Sequence, residues 1–430
     1  MRGYVKKVGL WALGIVILLL AWIGFLHLTR GTAVRHVRGV GADGAPVGVS
    51  EAHFPLSVNL LTGAWLAPGN QVDVTLNGDG TYHRLFGDLQ SAQRSITLQL
   101  YYGAEGALAD RLHAILLDRA SAGVRVFVLY DAFGTLDMPQ HRVEALRNKG
   151  VRIEPFRPLR FSALHLVQNR SHVRGIVVDG KIGWTGGFGI DDKWLGDGRT
   201  NGAWRETNVR FEGPAVLQLQ AAFAAAWAEA TGVLFTGRAT MPQPVEGVTA
   251  AGLLYATPTL GSTSAERFFA VSISGAQRTL YLTNAYFAPD DNIVELIKTA
   301  ARRGVDVRIL TAGPRTDVRT VRFAGRALYE ELLQAGVRIY EWQPSPLHAK
   351  TFVVDGIWAT VGSMNFDNRS MALNDETTLM VLDSAIGQQM EAIFRDDLQH
   401  SEEIKIERFR KRPFYERILE QGANFITRLL

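Results

Sequence analysis

The chain has 430 residues, 47% of them hydrophobic, with 46 Lys+Arg against 42 Asp+Glu and no cysteine. That apolar content fills one large or two medium cores and excludes a disordered chain, while the lack of cysteine excludes disulfides, thiolate catalysis and cysteine zinc sites. The mild basic excess of +4 suits an anionic partner without choosing between lipid headgroups and nucleic acid.

In chain order, the first predicted element is VGLWALGIVILLLAWIGFLHL, residues 8 to 28. It carries no formal charge apart from the titratable His27. As a helix it spans about 31 Å, enough to cross a bilayer core. It exceeds the apolar region of a signal peptide and no convincing cleavage site follows, so residues 1–30 are predicted to be a single transmembrane anchor with its flank. Arg2, Lys6 and Lys7 on one side balance Arg30, Arg35 and Arg38 on the other, which leaves the side of the catalytic domain open.

A duplication follows. AQRSITLQLYY (92–102), GVRVFVLYD (123–131), GVRIEPFRP (150–158) and HVRGIVVDG (172–180) run in order. After a linker around 237–252, where MPQPVEG interrupts the pattern, come AQRTLYLTNAYF (276–287), GVDVRIL (304–310), GVRIYEWQP (336–344) and LHAKTFVVDG (347–356). Offsets of 176 to 186 residues are far too long for a solenoid, so each copy is a domain, 55–236 and 253–430. Helical stretches such as DRLHAILLDRASA (110–122) and NIVELIKTAARR (292–303) alternate with the Val/Ile-rich runs. The pattern predicts two α/β/α sandwich domains packed face to face with pseudo-two-fold symmetry, each delivering one motif strand to a shared cleft.

The repeated motif places His172 and Arg174, and likewise His348 and Lys350, two apart on a strand and therefore on one face. Asp179 and Asp355 stand at Asp-Gly turns. Chance supplies such a His-x-cation-x4-acid pattern about 0.1 times in a chain of this composition. Two copies, both ending Val-Val-Asp-Gly, are not noise. With GSMNFDNRS (362–370) they resemble the phospholipase D superfamily. LHAKTFVVDGIWATVGSMNFDNRSMALNDE, the stretch GGFGIDDKWLG followed by WRETNVRFEGPAV, and the basic-apolar C-terminal end resemble its bacterial cardiolipin synthase branch, over residues 55 to 430.

Phosphodiester transfer needs an attacking group, a proton donor for the departing oxygen, and fixed positive charge around phosphorus. Two imidazoles supply the first two, one forming a covalent phosphatidyl-histidine and the other moving the proton. Arg174 and Lys350 are predicted to hold the phosphate oxygens, with Asn365 and Ser363 as neutral donors. No metal or cofactor is required. Each histidine needs its far nitrogen held by an acid, and Glu206 in WRETN and Glu376 in NDETT stand in equivalent places for that role. Asp179 and Asp355 are read as structural, bonding turn amides or neighbouring strands. The halves are unequal, because the lysine slot of the first holds Arg174 and the position matching Asn365 is Gly189. The resemblance implies His172 as nucleophile and His348 as acid.

FRPLRFSALHLVQNR (156–170) and IKIERFRKRPFYERIL (404–419) combine basic and apolar residues, suiting either an anionic bilayer surface or packed domain surface. The expected function is phosphatidyl transfer at the bacterial inner membrane, two phosphatidylglycerols giving cardiolipin and glycerol. The expected partners are that lipid and the bilayer, without nucleic acid; the oligomeric state is not legible. Hydrolytic phospholipase D is the nearest alternative, differing only in the acceptor. The anchor and the apolar loop argue against a nuclease, and retention of both histidines argues against a lipid-binding scaffold.

Overall fold

A computed structural model describes residues 33–39, 44–101, 103–136, 138–158, 168–200, 202–234, 247–259 and 261–429, with isolated positions between 9 and 22. The strands are β1 (Ala67–Leu76), β2 (Ser95–Leu100), β3 (Arg125–Asp131), β4 (Arg152–Phe156), β5 (Gly175–Val178), β6 (Ile182–Gly186) and β7 (Thr207–Glu212) in the first half. The second half carries β8 (Thr249–Ala256), β9 (Thr279–Asn284), β10 (Asp306–Ala312), β11 (Arg338–Trp342), β12 (Lys350–Val354), β13 (Trp358–Gly362), β14 (Glu376–Leu382) and β15 (Ser401–Glu403). The helices are α1 (Phe54–Thr62), α2 (Asn77–Ser91), α3 (Ala107–Ser121), α4 (Gln140–Asn148), α5 (Pro214–Thr231), α6 (Ser264–Ser274) and α7 (Asp291–Arg302). They continue with α8 (Arg319–Arg326), α9 (Tyr329–Gln334), α10 (Asn368–Ala372), α11 (Ser384–Gln399), α12 (Ile406–Arg410) and α13 (Phe414–Leu429).

All the strands join one mixed sheet in the order β4-β3-β2-β5-β6-β7-β1-β8-β14-β13-β12-β9-β10-β11-β15. The order reads the same outward from the β1–β8 seam until β15, so each first-half strand has a second-half counterpart. In each half three repeated Val/Ile-rich runs form the parallel strands, β2–β4 and β9–β11, and the motif strand lies antiparallel beside the first of them. The two halves share a core: Val177, Val209 and Phe211 lie in one buried cluster with Val353, Val361 and Leu379. The β1–β8 edge pairing, with a register shift between Ala67 and Asn70, joins the halves into that one sheet.

The N-terminal boundary differs from the sequence expectation. Phe54 and Val58, four apart on one face of α1, are buried in the core of the second half, and the Phe54 ring meets Trp358 edge-on at 5.1 Å. The segment that opens the first domain in sequence thus packs on the other one. The apolar stretch 8–28 lies mainly outside the described residues, as does 159–167 of the apolar loop. Among the described residues no helix is long and apolar enough to cross a membrane.

Candidate active site

Each motif is a β-hairpin. Asp179 and Gly180 turn with φ of 56° and 67°, Asp355 and Gly356 with 54° and 67°; Asp tolerates this left-handed backbone better than most residues. Both aspartates point back into the fold. Asp179 accepts from the amides of Gln93, Arg94 and Ser95 at 2.7 to 2.9 Å, and Asp355 from those of Gln277, Arg278 and Thr279 at 2.7 to 3.0 Å. They tie each hairpin to the start of β2 or β9.

The histidines enter at the opposite end, beside the carboxyl ends of β2 and β9, the usual place for a ligand in a parallel sheet. Short cross-half bridges hold them there. The amide of His172 donates to the carbonyl of Asp375 and that of His348 to the carbonyl of Arg205, each at 2.8 Å. The carboxylates therefore cross as well. His172 Nδ1 lies 3.0 Å from both oxygens of Glu376, and His348 Nδ1 lies 2.6 Å from Glu206 Oε2, so each histidine is oriented by the other half. The Nε2 atoms are left for chemistry. Spacing alone gives no sign of this exchange.

All four groups are buried, Glu376 completely. Burial holds the His172 imidazole below its ordinary value, opposed by Glu376. His348 is pushed well below, first by burial and then by the charges of Lys350, Arg174 and His172, so the two rings lie within electrostatic reach of each other. Lys350 Nζ lies 2.8 Å from His348 Nδ1, and burial pushes its ammonium down to about 7 against the pull of Glu206. Glu206 is raised by burial, with Lys350 opposing. Every one of these shifts disfavours charge, and an entering anion reverses those on the cations.

Arg174 is buried, and its Nε and Nη1 have no hydrogen-bond partner among the described residues; neither has Asn365 Oδ1. Unpaired buried guanidinium donors cost several kcal/mol, roughly, unless an anion receives them. Ser363 stands differently: its hydroxyl donates to Glu376 Oε2 at 2.6 Å and accepts from the amide of Thr377, so its proton is committed. At the matching Gly187 a Cβ would lie 2.3 Å from Glu206 Oε2, so that half has no room for a serine. Gly189, opposite Asn365 in the repeat, is forced by packing, because a Cβ there would lie 2.6 Å from the Trp194 ring.

Sequence reasoning passes over four aromatic residues here. Tyr101 meets His172 edge-on at 4.8 Å, and Trp194, Trp204 and Tyr286 surround His348 at 5.5, 5.2 and 6.0 Å. Tyr101 and Tyr286 lie just past the ends of β2 and β9, but aligning the AQR runs that begin at 92 and 276 sets Tyr101 opposite Ala285, so the duplication does not single this pair out. The described residues contain no cluster of His, Asp and Glu suited to hold a metal ion.

A family model described as cardiolipin synthase, PLD-like domain, matches residues 85–227 and 270–398. The cardiolipin synthase of Geobacillus kaustophilus (strain HTA426) is 34% identical over 365 residues, covering 84% of this chain and 72% of that protein. That of Geobacillus sp. (strain WCH70) is 35% identical over 361 residues, covering 83% and 72%. The crystal structure of phosphatidylserine synthase from Haemophilus influenzae Rd KW20 superposes with a TM-score of 0.64 over 88% of this chain and 100% of that one, at 13% identity, a likeness of fold alone. With matches in both halves, and relatives above 30% identity over most of the chain, this protein belongs to the cardiolipin synthase family of PLD-like proteins.

Proposed function

We propose that the protein is a phosphatidyltransferase that condenses two phosphatidylglycerols to cardiolipin and glycerol. The observation that carries this reading is the crossed pair of histidine–glutamate contacts beside a buried Arg174 whose Nε and Nη1 have no hydrogen-bond partner among the described residues. His172 Nε2 attacks phosphorus, the bond from phosphorus to the glycerol oxygen breaks, and that oxygen takes a proton from His348. In the second step the headgroup hydroxyl of another phosphatidylglycerol gives its proton to His348 and attacks phosphorus. The P–N bond breaks and its electrons return to His172. Arg174 and Lys350 hold the phosphate oxygens, with Asn365 beside them; Glu376 and Glu206 stabilise each imidazolium in turn. Ser363 acts by holding Glu376, and Asp179 and Asp355 act by holding the hairpins.

One observation favours the reverse order of the histidines. Burial, and then Lys350 beside it, keep the His348 ring neutral more strongly than His172, which suits a nucleophile. Acid quench of the working enzyme followed by mass spectrometry separates the two: a phosphorylated His172 supports the order given, and a phosphorylated His348 reverses it.

The relatives' names support transfer over hydrolysis and over loss of catalysis. The two repeats serve as the two domains, the stretch 8–28 anchors the chain in the bacterial inner membrane, and the bilayer presents the substrate. Full-length enzyme in phosphatidylglycerol vesicles is expected to release one glycerol per cardiolipin, undiminished by EDTA. Release of phosphatidic acid in place of cardiolipin would refute the transferase reading, and inhibition by chelation would refute metal-free chemistry.

A further inference from the structure

Helix α13 is packed inside out. Its inward face carries a buried charge and a small residue: Glu420 is fully buried, paired with Arg326 Nε at 2.9 Å and Arg412 Nε at 2.8 Å, and Ala423 joins Ala288 and Ala324. Its outward face carries Phe414, Tyr415, Ile418, Leu419, Phe425 and Ile426, from 49% to 75% exposed. Spacings of three, four and seven place these on one stripe. A helix facing only water has the opposite arrangement, so this stripe marks an interaction surface.

Position and charge indicate the occupant. Helix α13 packs on α8, which follows the carboxyl end of β10, the end of the sheet where His348 enters. In the first half, exposed Phe133 and Leu136 follow the carboxyl end of β3, and the amide of Ser171, next to His172, donates to Asp131, the last residue of that strand. Apolar side chains thus stand out from both halves at the catalytic end. Among exposed charged residues from 405 to 417, Lys405, Arg408, Arg410, Lys411 and Arg417 outnumber Glu407. Lys405, Arg408 and Arg410 reach Glu403, Glu402 and Glu330, while Lys411 and Arg417 have no ion pair among the described residues. Apolar residues flanked by cations match the acyl boundary and anionic headgroups of a bilayer.

We propose that the outward face of α13, with the Phe133–Leu136 loop, docks on an anionic phospholipid bilayer and turns the histidine pair toward the lipid phosphates. This rests on the transferase reading for its purpose. It differs from the N-terminal anchor, which tethers the chain without setting how the catalytic end is oriented.

The chain has no cysteine, so single labels are clean. Ile418→Cys, Phe425→Cys and, at the far hairpin, Lys181→Cys would each carry an environment-sensitive fluorophore on the full-length chain. The chains would be reconstituted in vesicles of phosphatidylglycerol and phosphatidylcholine containing acyl-chain nitroxide. Labels at 418 and 425 are expected to lose about half their emission or more while the label at 181 does not. Equal quenching at all three positions, or none at 418 and 425, overturns the proposal. Shielding without vesicles that disappears on dilution overturns it in favour of a second copy of the chain. In parallel, Ile418→Glu/Phe425→Glu is expected to lower cardiolipin formation from vesicles about tenfold and leave turnover of dispersed short-chain phosphatidylglycerol unchanged. An equal fall on both substrates refutes docking. If the unsubstituted enzyme makes cardiolipin from neither, the transferase reading fails, and the quenching still decides whether α13 meets lipid.

Discussion

Glu376 reaches His172 with both carboxylate oxygens, whereas Glu206 reaches His348 with one and shares that ring nitrogen with Lys350. Burial opposes a charged imidazole at both histidines, and at His172 the Glu376 carboxylate works against it. Glu376→Gln and Glu206→Gln keep shape and an acceptor oxygen but lose the charge, so each is expected to lower kcat by about 10²- to 10⁴-fold with the fold intact. Cardiolipin assays beside circular dichroism check this, and a kcat within a few-fold of the original would remove the orienting role. Lys350 gives the pH dependence. Its ammonium is present below about 7 and lost above it in the free enzyme, so phosphate affinity, and with it kcat/KM, is expected to fall as pH rises through about 7. In Lys350→Arg the guanidinium keeps its proton, and that alkaline limb is expected to vanish even if the rate is lower. The same limb persisting in the variant would assign it to another group. At this scale the histidines, the cations and both glutamates were legible, because a repeated spacing exposes them. The claim of Trp194 on the space beside Gly189 was not, since contact between residues distant along a chain leaves no local pattern.

The hairpins are the element through which the motif acts. Asp355 binds three successive amides at the head of β9, and Asp179 does the same at β2; the Arg94 and Arg278 side chains donate to the carbonyls of Asp179 and Asp355, which explains why arginine recurs at the head of both strands. Asp355→Ala leaves three part-buried amides without their charged acceptor. A loss of about 3 kcal/mol of stability is expected in urea unfolding, while turnover per folded molecule stays within a few-fold. Abolished turnover at unchanged stability would instead make Asp355 a participant in the chemistry. The parallel strands were legible from their Val/Ile-rich runs, and α3 and α7 from helical periodicity. The partner of α1 was not legible, because an amphipathic helix announces a buried face without naming what covers it. The basic-apolar composition around α13 was visible too, but which side faced outward depended on Arg326 and Arg412 drawing Glu420 inward.

For the whole molecule, the relevant unit is larger than either repeat. The β1–β8 seam, α1 lying on the second half, and the buried Arg205–Asp397 pair at 2.7 Å all join the two copies. Calorimetry of the catalytic portion is therefore expected to show one cooperative transition; two well-separated transitions would show that the halves are energetically independent. The amino-acid sequence by itself determined the duplication, the strand-forming runs, the two His-x-cation hairpins and the membership of the family. All of these are written in local spacing and its recurrence. Only the tertiary structure decided that each histidine takes its carboxylate from the opposite half, that Ser363 serves Glu376, and that the N-terminal segment supports the second core. Those outcomes depend on how two similar surfaces meet, and equivalent copies carry the same local pattern whether their partners are their own or exchanged.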